Sequence, residues 1–259
     1  MVAPARRAVL IALGLMALTL VAALAGRGRT PAPAVADLFP GGVLQIGIET
    51  SPSPYVHLRD GEPTGLVIAL GQALAGEMGL TPHFINVSLD GRFDALRLGI
   101  VDLLIVVDAR QTAMEADVLP TRPWFNAGLV LVSHEDRPLN SMQEMAGRSL
   151  ALALGSAADA EARRWQRRIA AFTTLPYELP HHALDALRFG VAQAALVDAL
   201  DARLYLRQHD LALAMHQVSD QHLAMALLSD PPTRWRVVDG ALWKLFEQGA
   251  VARLLDRWL

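Results

Sequence analysis

The chain has 259 residues, of which 53% are apolar, and these values suit one large domain or two lobes of about 100 residues each. The formal net charge is −3 and the arginines are scattered, so no face is expected to neutralise a nucleic-acid backbone. The chain contains no cysteine, which excludes disulfides, thiolate metal sites, cysteine nucleophiles and a lipidated N-terminal cysteine.

The first 25 residues have the layout of an export signal. Arg6 and Arg7 precede an apolar run, 8–25, which ends in a small-x-small triplet typical of a cleavage site. The run is also long enough to span a bilayer, so an uncleaved N-terminal anchor is the alternative to a cleaved signal peptide. Residues 26–42 are rich in Pro and Ala and are interpreted as a linker. We therefore expect an exported, periplasmic protein that contacts the membrane only through residues 1–25, if these are retained.

From Gly42 onward, short apolar strands alternate with amphipathic helices, which is typical of α/β layers with mostly parallel sheets. The pattern predicts a strand at 43–49, a helix at 65–79 and a strand at 83–88. The segment "DGEPTG" before the helix has neither the dinucleotide-binding nor the phosphate-loop glycine spacing. It is interpreted as a bend that lets the helix pack on a sheet.

Two segments of the chain resemble each other, "FDALRLGIVDLLIVVD" (93–108) and "LDALRFGVAQAALVD" (184–198). Each predicts a helix, a glycine stop, a buried strand and an aspartate at the strand's carboxyl end. Because helix–Gly–strand is common in α/β proteins, a chance match is one interpretation. The other is two lobes of similar construction, which the spacing of the copies favours.

The segments around the second copy suggest how the two lobes are connected. Residues 127–135 would carry the chain into the second lobe, and a strand at 222–230 would return it to the first. We therefore expect lobe 1 at 43–128 and 225–259 and lobe 2 at 129–224. Two connections of this kind suit closure on a ligand.

The order and spacing of several segments resemble the bacterial extracellular solute-binding proteins of family 3, which include amino-acid-binding subunits of ABC importers. "LQIGIETSPSPY" is similar to the family's first strand and Pro-aromatic loop, "FDALRLGIVDLLI" to its L-x-x-G-x-x-D segment, and "FEQGAVARLLDRWL" to its closing helix. The resemblance covers 43–259. It implies a type 2 periplasmic-binding fold, a two-lobed clamp with two hinge crossings. As partners it implies a small polar ligand and an ABC transporter permease, with the protein acting as a monomer.

The chain departs from the family at positions that matter for ligand choice. Family members that hold an α-amino acid carry T-x-x-R after the second strand of lobe 1, where the arginine grips the ligand carboxylate. Here Gln111 and Met114 stand at those positions, and Arg110 is one position off the expected turn. In the loop before Tyr55, Pro52 replaces a frequent aromatic platform. These departures argue against an ordinary amino-acid ligand.

Ligands of open α/β sheets bind outside the carboxyl ends of the strands, which points to Glu49, Asp108, Gly155, Ser156 and Asp198. The resemblance also implies that Asp198 is the partner of a ligand ammonium. For Asp198 and Ser156 the alternative is that each only caps the following helix. The helix start after Gly155 could instead receive an anion.

Three more residues complete the set of site candidates. Arg110 could pair with Asp108 or meet a ligand anion. Tyr55 and Trp124 lie on loops and are candidates for aromatic walls or cation–π contacts, with core or hinge packing as the alternative. The histidines have no metal-ligand spacing, so no metal and no cofactor is predicted.

Taken together, the sequence predicts a non-catalytic periplasmic protein that captures a small polar ligand, amino-acid-like or cationic, by closure of two lobes. No nucleophile-elbow or H-E-x-x-H motif occurs, which argues against an enzyme. The alternatives are a membrane-tethered sensor or accessory binding protein with a divergent pocket, and a dehydratase-type enzyme on the same fold.

Overall fold

A computed structural model of the chain describes residues 35–50, 55–59, 61–209 and 211–259. The chain divides into two compact units at the boundary between Pro40 and Gly41. The first unit carries a short helix, Val35–Leu38, within the segment interpreted as a linker. The signal peptide or anchor expected at 1–25 lies outside the described residues. All of the strands given below belong to the second unit.

The strands in chain order are β1 (Val43–Ile48), β2 (His57–Arg59), β3 (Glu62–Thr64), β4 (Thr81–Asn86), β5 (Leu103–Asp108), β6 (Val118–Pro120), β7 (Phe125–Asn126), β8 (Leu129–His134), β9 (Ser149–Ala153), β10 (Thr173–Tyr177), β11 (Ala194–Asp198), β12 (Leu213–Gln217) and β13 (His222–Leu228). The α-helices are α1 (Val35–Leu38), α2 (Leu66–Met78), α3 (Arg92–Arg97), α4 (Ala109–Thr112), α5 (Ala157–Gln166), α6 (Pro180–Arg188), α7 (Ala199–His209), α8 (Pro232–Glu247) and α9 (Ala250–Trp258).

The strands form two similarly built sheets and a separate hairpin. The first sheet has the order β4-β1-β5-β13-β6, with β7 also paired to β13, and the second has the order β10-β9-β11-β8-β12. In each sheet three neighbouring strands are parallel, and the remaining strands join them antiparallel. The α/β class is therefore confirmed, with two mixed sheets flanked by helices.

Both copies of the sequence repeat have the expected local structure. Helix α3 is followed by Gly99 at φ 67° and strand β5, and helix α6 by Gly190 at φ 72° and strand β11. A left-handed residue after the helix lets the chain turn sharply into the strand, and glycine adopts that conformation without a steric penalty. Each copy also buries an apolar side chain of its helix, Leu96 or Leu187. The repeat thus encodes the same helix-to-strand unit once in each sheet.

The segment interpreted as a bend before α2 is a β-hairpin. Strands β2 and β3 pair antiparallel, and Gly61 turns between them at φ 85°. Gly65 follows at φ 126°, and a Cβ atom there would lie 2.6 Å from the Tyr55 carbonyl oxygen. Absence of a side chain at Gly65 therefore lets the loop that carries Tyr55 pack directly on the start of α2.

The chain crosses between the sheets twice, and the two crossings are joined by hydrogen bonds. The first crossing, 126–129, leads from β7 to β8, and the second, 217–222, leads from β12 to β13. Ala127 N–H donates to the Gln221 carbonyl at 2.8 Å, and Leu129 N–H donates to Ser219 Oγ at 3.1 Å. Movement of one crossing would therefore disturb the other. The lobe bounds expected from the sequence stay a prediction; the strand of the second crossing, β13, begins at His222.

Each sheet has its own apolar core. One cluster of buried side chains lies between the first sheet and α3, and includes Leu96, Leu104 and Val118. Another lies between the second sheet and α5, and includes Leu131 and Leu152. Separate cores are typical of lobes that can move as units. Across the described ranges, no helix combines the length and apolarity needed to cross a bilayer.

Candidate functional site

A cavity of about 360 Å³ lies where the two crossings meet the carboxyl ends of β5 and β11. We call it the crossing cavity. It is lined by Asp108, Gly128, Leu129, Ala157, Ala160, Glu161, Arg164, Asp198, Ser219, Asp220 and Gln221. The structure thus brings Asp108 and Asp198 to one cavity, although they come from different sheets. Each is the last residue of its strand, and ligands of open α/β sheets bind just outside such carboxyl ends.

Carboxylates dominate the charge of the crossing cavity. Asp108, Glu161, Asp198 and Asp220 line it, whereas Arg164 is the only basic residue among the described residues of the lining. Arg164 Nη1 lies 3.0 Å from Glu161 Oε2, so these two charges offset each other. The remaining acidic groups give the cavity a negative field that favours a cation.

Asp108 is fixed in place by its own helix. Its Oδ1 accepts hydrogen bonds from the backbone N–H groups of Arg110 at 2.8 Å and Gln111 at 3.1 Å, as an N-cap of α4. Arg110 is an exposed residue, and it lines neither the crossing cavity nor the second cavity described below. Asp108 therefore caps a helix and lines the cavity at the same time, and Arg110 meets it through the backbone.

Asp198 of the crossing cavity belongs to a group of electrostatically linked side chains that includes Tyr55 and Asp201. Burial raises the pKa of the Tyr55 hydroxyl, and the nearby carboxylates of Asp198 and Asp201 raise it further. Asp198 keeps an exposed surface, yet the protein around its carboxylate removes enough water to raise its pKa, and Asp201 adds to this. Burial also raises the pKa of Asp201, while the neighbouring His181 opposes that shift. A positive group placed between these carboxylates would relieve their repulsion.

Trp124 supports this region from the core. It is 3% exposed, and its Nε1–H donates to the Ile105 carbonyl at 3.1 Å. Its ring meets the edge of the Tyr55 ring at a centroid distance of 6.2 Å and stacks on Phe125 at 6.1 Å. The indole is covered and its N–H is used, which agrees with the packing alternative, and its ring packs against Tyr55.

Gly155 and Ser156 have protein partners of the kind that the capping alternative describes. Gly155 N–H donates to Asp159 Oδ2 at 3.0 Å, and Ser156 Oγ accepts the Asp159 N–H as the N-cap of α5. Asp159 is itself buried and makes two hydrogen bonds with Arg163. The start of α5 therefore already holds an internal carboxylate, and neither residue lines the crossing cavity.

A second cavity, of about 110 Å³, lies at the carboxyl edge of the first sheet, and we call it the edge cavity. It is lined by Gly47, Ile48, Glu49, Tyr55, Val56, Val67, Val87, Ser88, Leu89, Arg92, Leu104 and Val106. Glu49 is half-buried here, at the end of β1 as the sequence predicts. The sequence patterns do not single out Arg92, although it follows the loop at the carboxyl end of β4, a signal of the same kind.

Arg122 and the adjacent pair His181 and His182 lie outside these two cavities. Arg122 pairs with Asp239 through Nη2 at 2.7 Å and through its backbone N–H at 2.8 Å. The rings of His181 and His182 lie 4.3 Å apart, edge to face. Within the described part of the chain, no group of three or more His, Asp or Glu side chains is placed to hold a metal ion.

The two mixed sheets joined by two crossings define the type 2 periplasmic-binding fold. The family model of bacterial extracellular solute-binding proteins, family 3, matches residues 44–259, and the chain therefore belongs to this family. The family and fold predicted from the sequence are thereby confirmed.

Individual relatives are distant. The L-arginine-binding protein of Pseudomonas aeruginosa is 24% identical over 167 residues, which span 62% of this chain and 58% of that protein. The structure of the unliganded, open L-cystine solute receptor of Neisseria gonorrhoeae matches with a TM-score of 0.74 at 19% identity, covering 88% of this chain and 97% of that chain. Substrate binding domain 2 of Lactococcus lactis GlnP, also open, matches with a TM-score of 0.68 at 17% identity, covering 85% and 96% of the two chains. At such identities the structural likeness shows the fold.

Proposed function

We propose that this protein is a non-catalytic, periplasmic receptor that captures a small amino-acid-like ligand bearing a cationic group. The observation that carries the proposal is the shared cavity of Asp108 and Asp198, one at the end of a strand in each sheet. A ligand that contacts both residues bridges the two halves of the fold. The similarity to an L-arginine-binding protein of Pseudomonas aeruginosa supports a cationic ligand.

The acidic lining supports a cation on energetic grounds. A hydrogen bond between an ionised carboxylate and an ammonium or guanidinium group contributes about 1.5–3 kcal/mol. A neutral ligand would leave the carboxylates of Asp108, Asp198 and Asp220 in the cavity lining without a counter-charge. The charge of a ligand should therefore affect its affinity for the cavity more than its shape does.

Closure of the lobes would convert these contacts into a signal for a membrane partner. A ligand shifts the open-to-closed equilibrium only if it binds the closed form more tightly, and contacts from both sheets provide that difference. We propose an ABC transporter permease as the partner, with the receptor acting as a monomer. A membrane-tethered sensor is the second candidate, because the apolar run at 8–25 is long enough for an anchor.

Titration calorimetry with L-arginine, L-lysine and neutral amino acids tests the ligand class. We expect the cationic amino acids to bind, and Asp198→Asn or Asp108→Asn to weaken their binding by more than about tenfold, because each change removes a charge-assisted contact. The matched control is Glu135→Gln, an exposed carboxylate just beyond the opposite end of β8. Equal weakening by all three variants, or unchanged affinity in both aspartate variants, would contradict the proposed site.

N-terminal sequencing of the exported protein separates the two candidate functions. A mature chain that begins after Ala25 supports the released receptor of an importer. Retention of residues 1–25 in the membrane fraction supports the tethered sensor.

A further inference from the structure

We propose that Arg92 receives a carboxylate group of the ligand inside the edge cavity. This inference rests on the proposed function and extends it, because it assigns the ligand a carboxylate as well as a cationic group. The receiving residue is one that the sequence patterns do not identify.

Protein contacts hold the guanidinium of Arg92 in place, but they do not use all of its N–H donors. Its Nη1 donates to the Leu89 carbonyl at 2.6 Å, and its Cζ lies 4.8 Å from the centre of the Phe93 ring. Its Nε–H is buried and has no acceptor among the described residues. A buried donor without an acceptor is costly, and a guanidinium matches a carboxylate through two parallel hydrogen bonds. An incoming carboxylate would therefore meet a positioned arginine that still has N–H groups to donate.

The rest of the edge cavity selects for a small zwitterionic or amphipathic group. Its floor is apolar, with Val67 and Leu104 among its lining residues, which exclude water and strengthen an ion pair. Glu49 lines the same cavity, and among the described residues no ion pair joins it to Arg92. A carboxylate on Arg92 would leave Glu49 available for a neighbouring ammonium group.

Tyr55 of the edge cavity is electrostatically coupled to Asp198 of the crossing cavity. Tyr55 lines the edge cavity, and its hydroxyl pKa is raised by the carboxylate of Asp198, which lines the crossing cavity, and by that of Asp201. A ligand with a carboxylate at Arg92 and a cationic end toward Asp198 would pass Tyr55. The chemical class that fits is a short amino acid with a cationic side chain.

Arg110 is the competing candidate for the carboxylate. It lies closer in sequence to Asp108, but its residue is exposed and lines neither cavity. Exposed arginines are strongly solvated and gain little from an ion pair, whereas a partly desolvated one gains more. An experiment can tell the two arginines apart. Substitution of the arginine that binds the carboxylate should weaken binding of ligands that carry a carboxylate and should leave binding of ligands without one nearly unchanged.

Three probes separate the parts of the ligand in calorimetry. L-Arginine carries both charges of interest, agmatine lacks only the carboxylate, and L-norleucine lacks only the cationic side chain. For Arg92→Gln we expect the affinity for L-arginine to fall by about tenfold or more and that for agmatine to change by less than about threefold, as for loss of a bidentate charged contact. Arg92→Lys keeps the positive charge but loses the planar guanidinium that can donate two parallel hydrogen bonds. We therefore expect a smaller loss of affinity, again selective for L-arginine. The matched control is Arg137→Gln, an arginine whose side chain is 86% exposed in the turn after β8.

The outcomes distinguish this inference from the proposed function. Equal changes for L-arginine and agmatine in both Arg92 variants, or a selective loss in Arg110→Gln with Arg92→Gln unaffected, would overturn the role of Arg92. Wild-type protein that binds L-norleucine as tightly as L-arginine would instead overturn the acidic cavity, and binding of none of the three probes would overturn both. A circular dichroism melt of each variant establishes that it is folded. If Arg92→Gln does not fold, the comparison of L-arginine with agmatine is made with Arg92→Lys.

Discussion

The crossing at Gly128 should tolerate no side chain. A Cβ atom at this position would lie 2.0 Å from the Ser219 carbonyl oxygen, 2.7 Å from the Ser219 carbonyl carbon and 2.8 Å from the Gln221 nitrogen. All three are backbone atoms of the other crossing, so no side-chain rotation can relieve the contact. Gly128 is not among the glycines with positive φ, which means that space and not backbone conformation requires glycine here. Gly128→Ala must therefore push the crossings apart.

The expected cost follows from that geometry. Overpacking of a well-packed site typically costs about 1–3 kcal/mol, and a clash between backbone segments belongs at the upper end of this range. For a folded unit of this size, about 3 kcal/mol corresponds to a fall in melting temperature of roughly 6–12 °C. The hydrogen bond from Ala127 N–H to Gln221 and that from Leu129 N–H to Ser219 should weaken as well.

Urea unfolding followed by circular dichroism measures the effect, with Gly76→Ala as the matched control. Gly76 is an exposed residue of α2, and nothing lies within 4 Å of a Cβ atom placed there. Alanine is the better helix former, so this control should gain about 0.5–1 kcal/mol. A Gly128→Ala protein as stable as the wild type would refute the view that the two crossings pack backbone to backbone.

Three further predictions concern the charges and caps of the described residues. Binding of L-lysine should weaken as the pH falls, beginning above the ordinary range of an aspartate: a raised pKa means that Asp198 takes up its proton at a higher pH and loses its attraction for a cation. Calorimetry at several pH values checks this, and an affinity that is flat to about pH 4 would contradict it. Ser156→Ala should lower the free energy of unfolding by about 1 kcal/mol through loss of the α5 cap, and ligand affinity should stay unchanged. A large loss of affinity would instead indicate that Ser156 contacts the ligand. Asp239→Asn should cost about 2 kcal/mol of unfolding free energy in urea, because Arg122 loses a charged partner on a buried residue. An unaltered unfolding midpoint would argue against that role.

Much of the fold could be predicted because its signals are local. Strand β1 and helix α2 come from apolar periodicity, and the two repeat copies come from a helix, a glycine in the left-handed conformation and a buried strand. The short strands β6 and β7 give no such signal, because two or three residues are too few for a period to be recognised. Their existence depends on pairing with β13, which follows about a hundred residues later.

The candidate site was predictable in kind but not in detail. The rule that ligands bind at strand carboxyl ends identifies Asp108 and Asp198, and the structure places both at one cavity. The same rule also selects Gly155 and Ser156. However, the Gly155 N–H and the Ser156 Oγ are hydrogen-bonded to Asp159, which follows four and three residues later. A capping side chain and a ligand satisfy the same N–H groups, so the sequence does not distinguish them.

By itself the sequence determined the α/β alternation, the doubled helix–Gly–strand unit and the acidic strand ends, because each depends on residues within one or two turns of chain. Only the tertiary structure decided that Asp108 and Asp198 share a cavity, that Trp124 is buried with its indole N–H on Ile105, and that Arg92 enters the edge cavity. The physical reason is that these relations depend on strand order and on the paired crossings, in which a single missing side chain at Gly128 lets distant backbone segments meet.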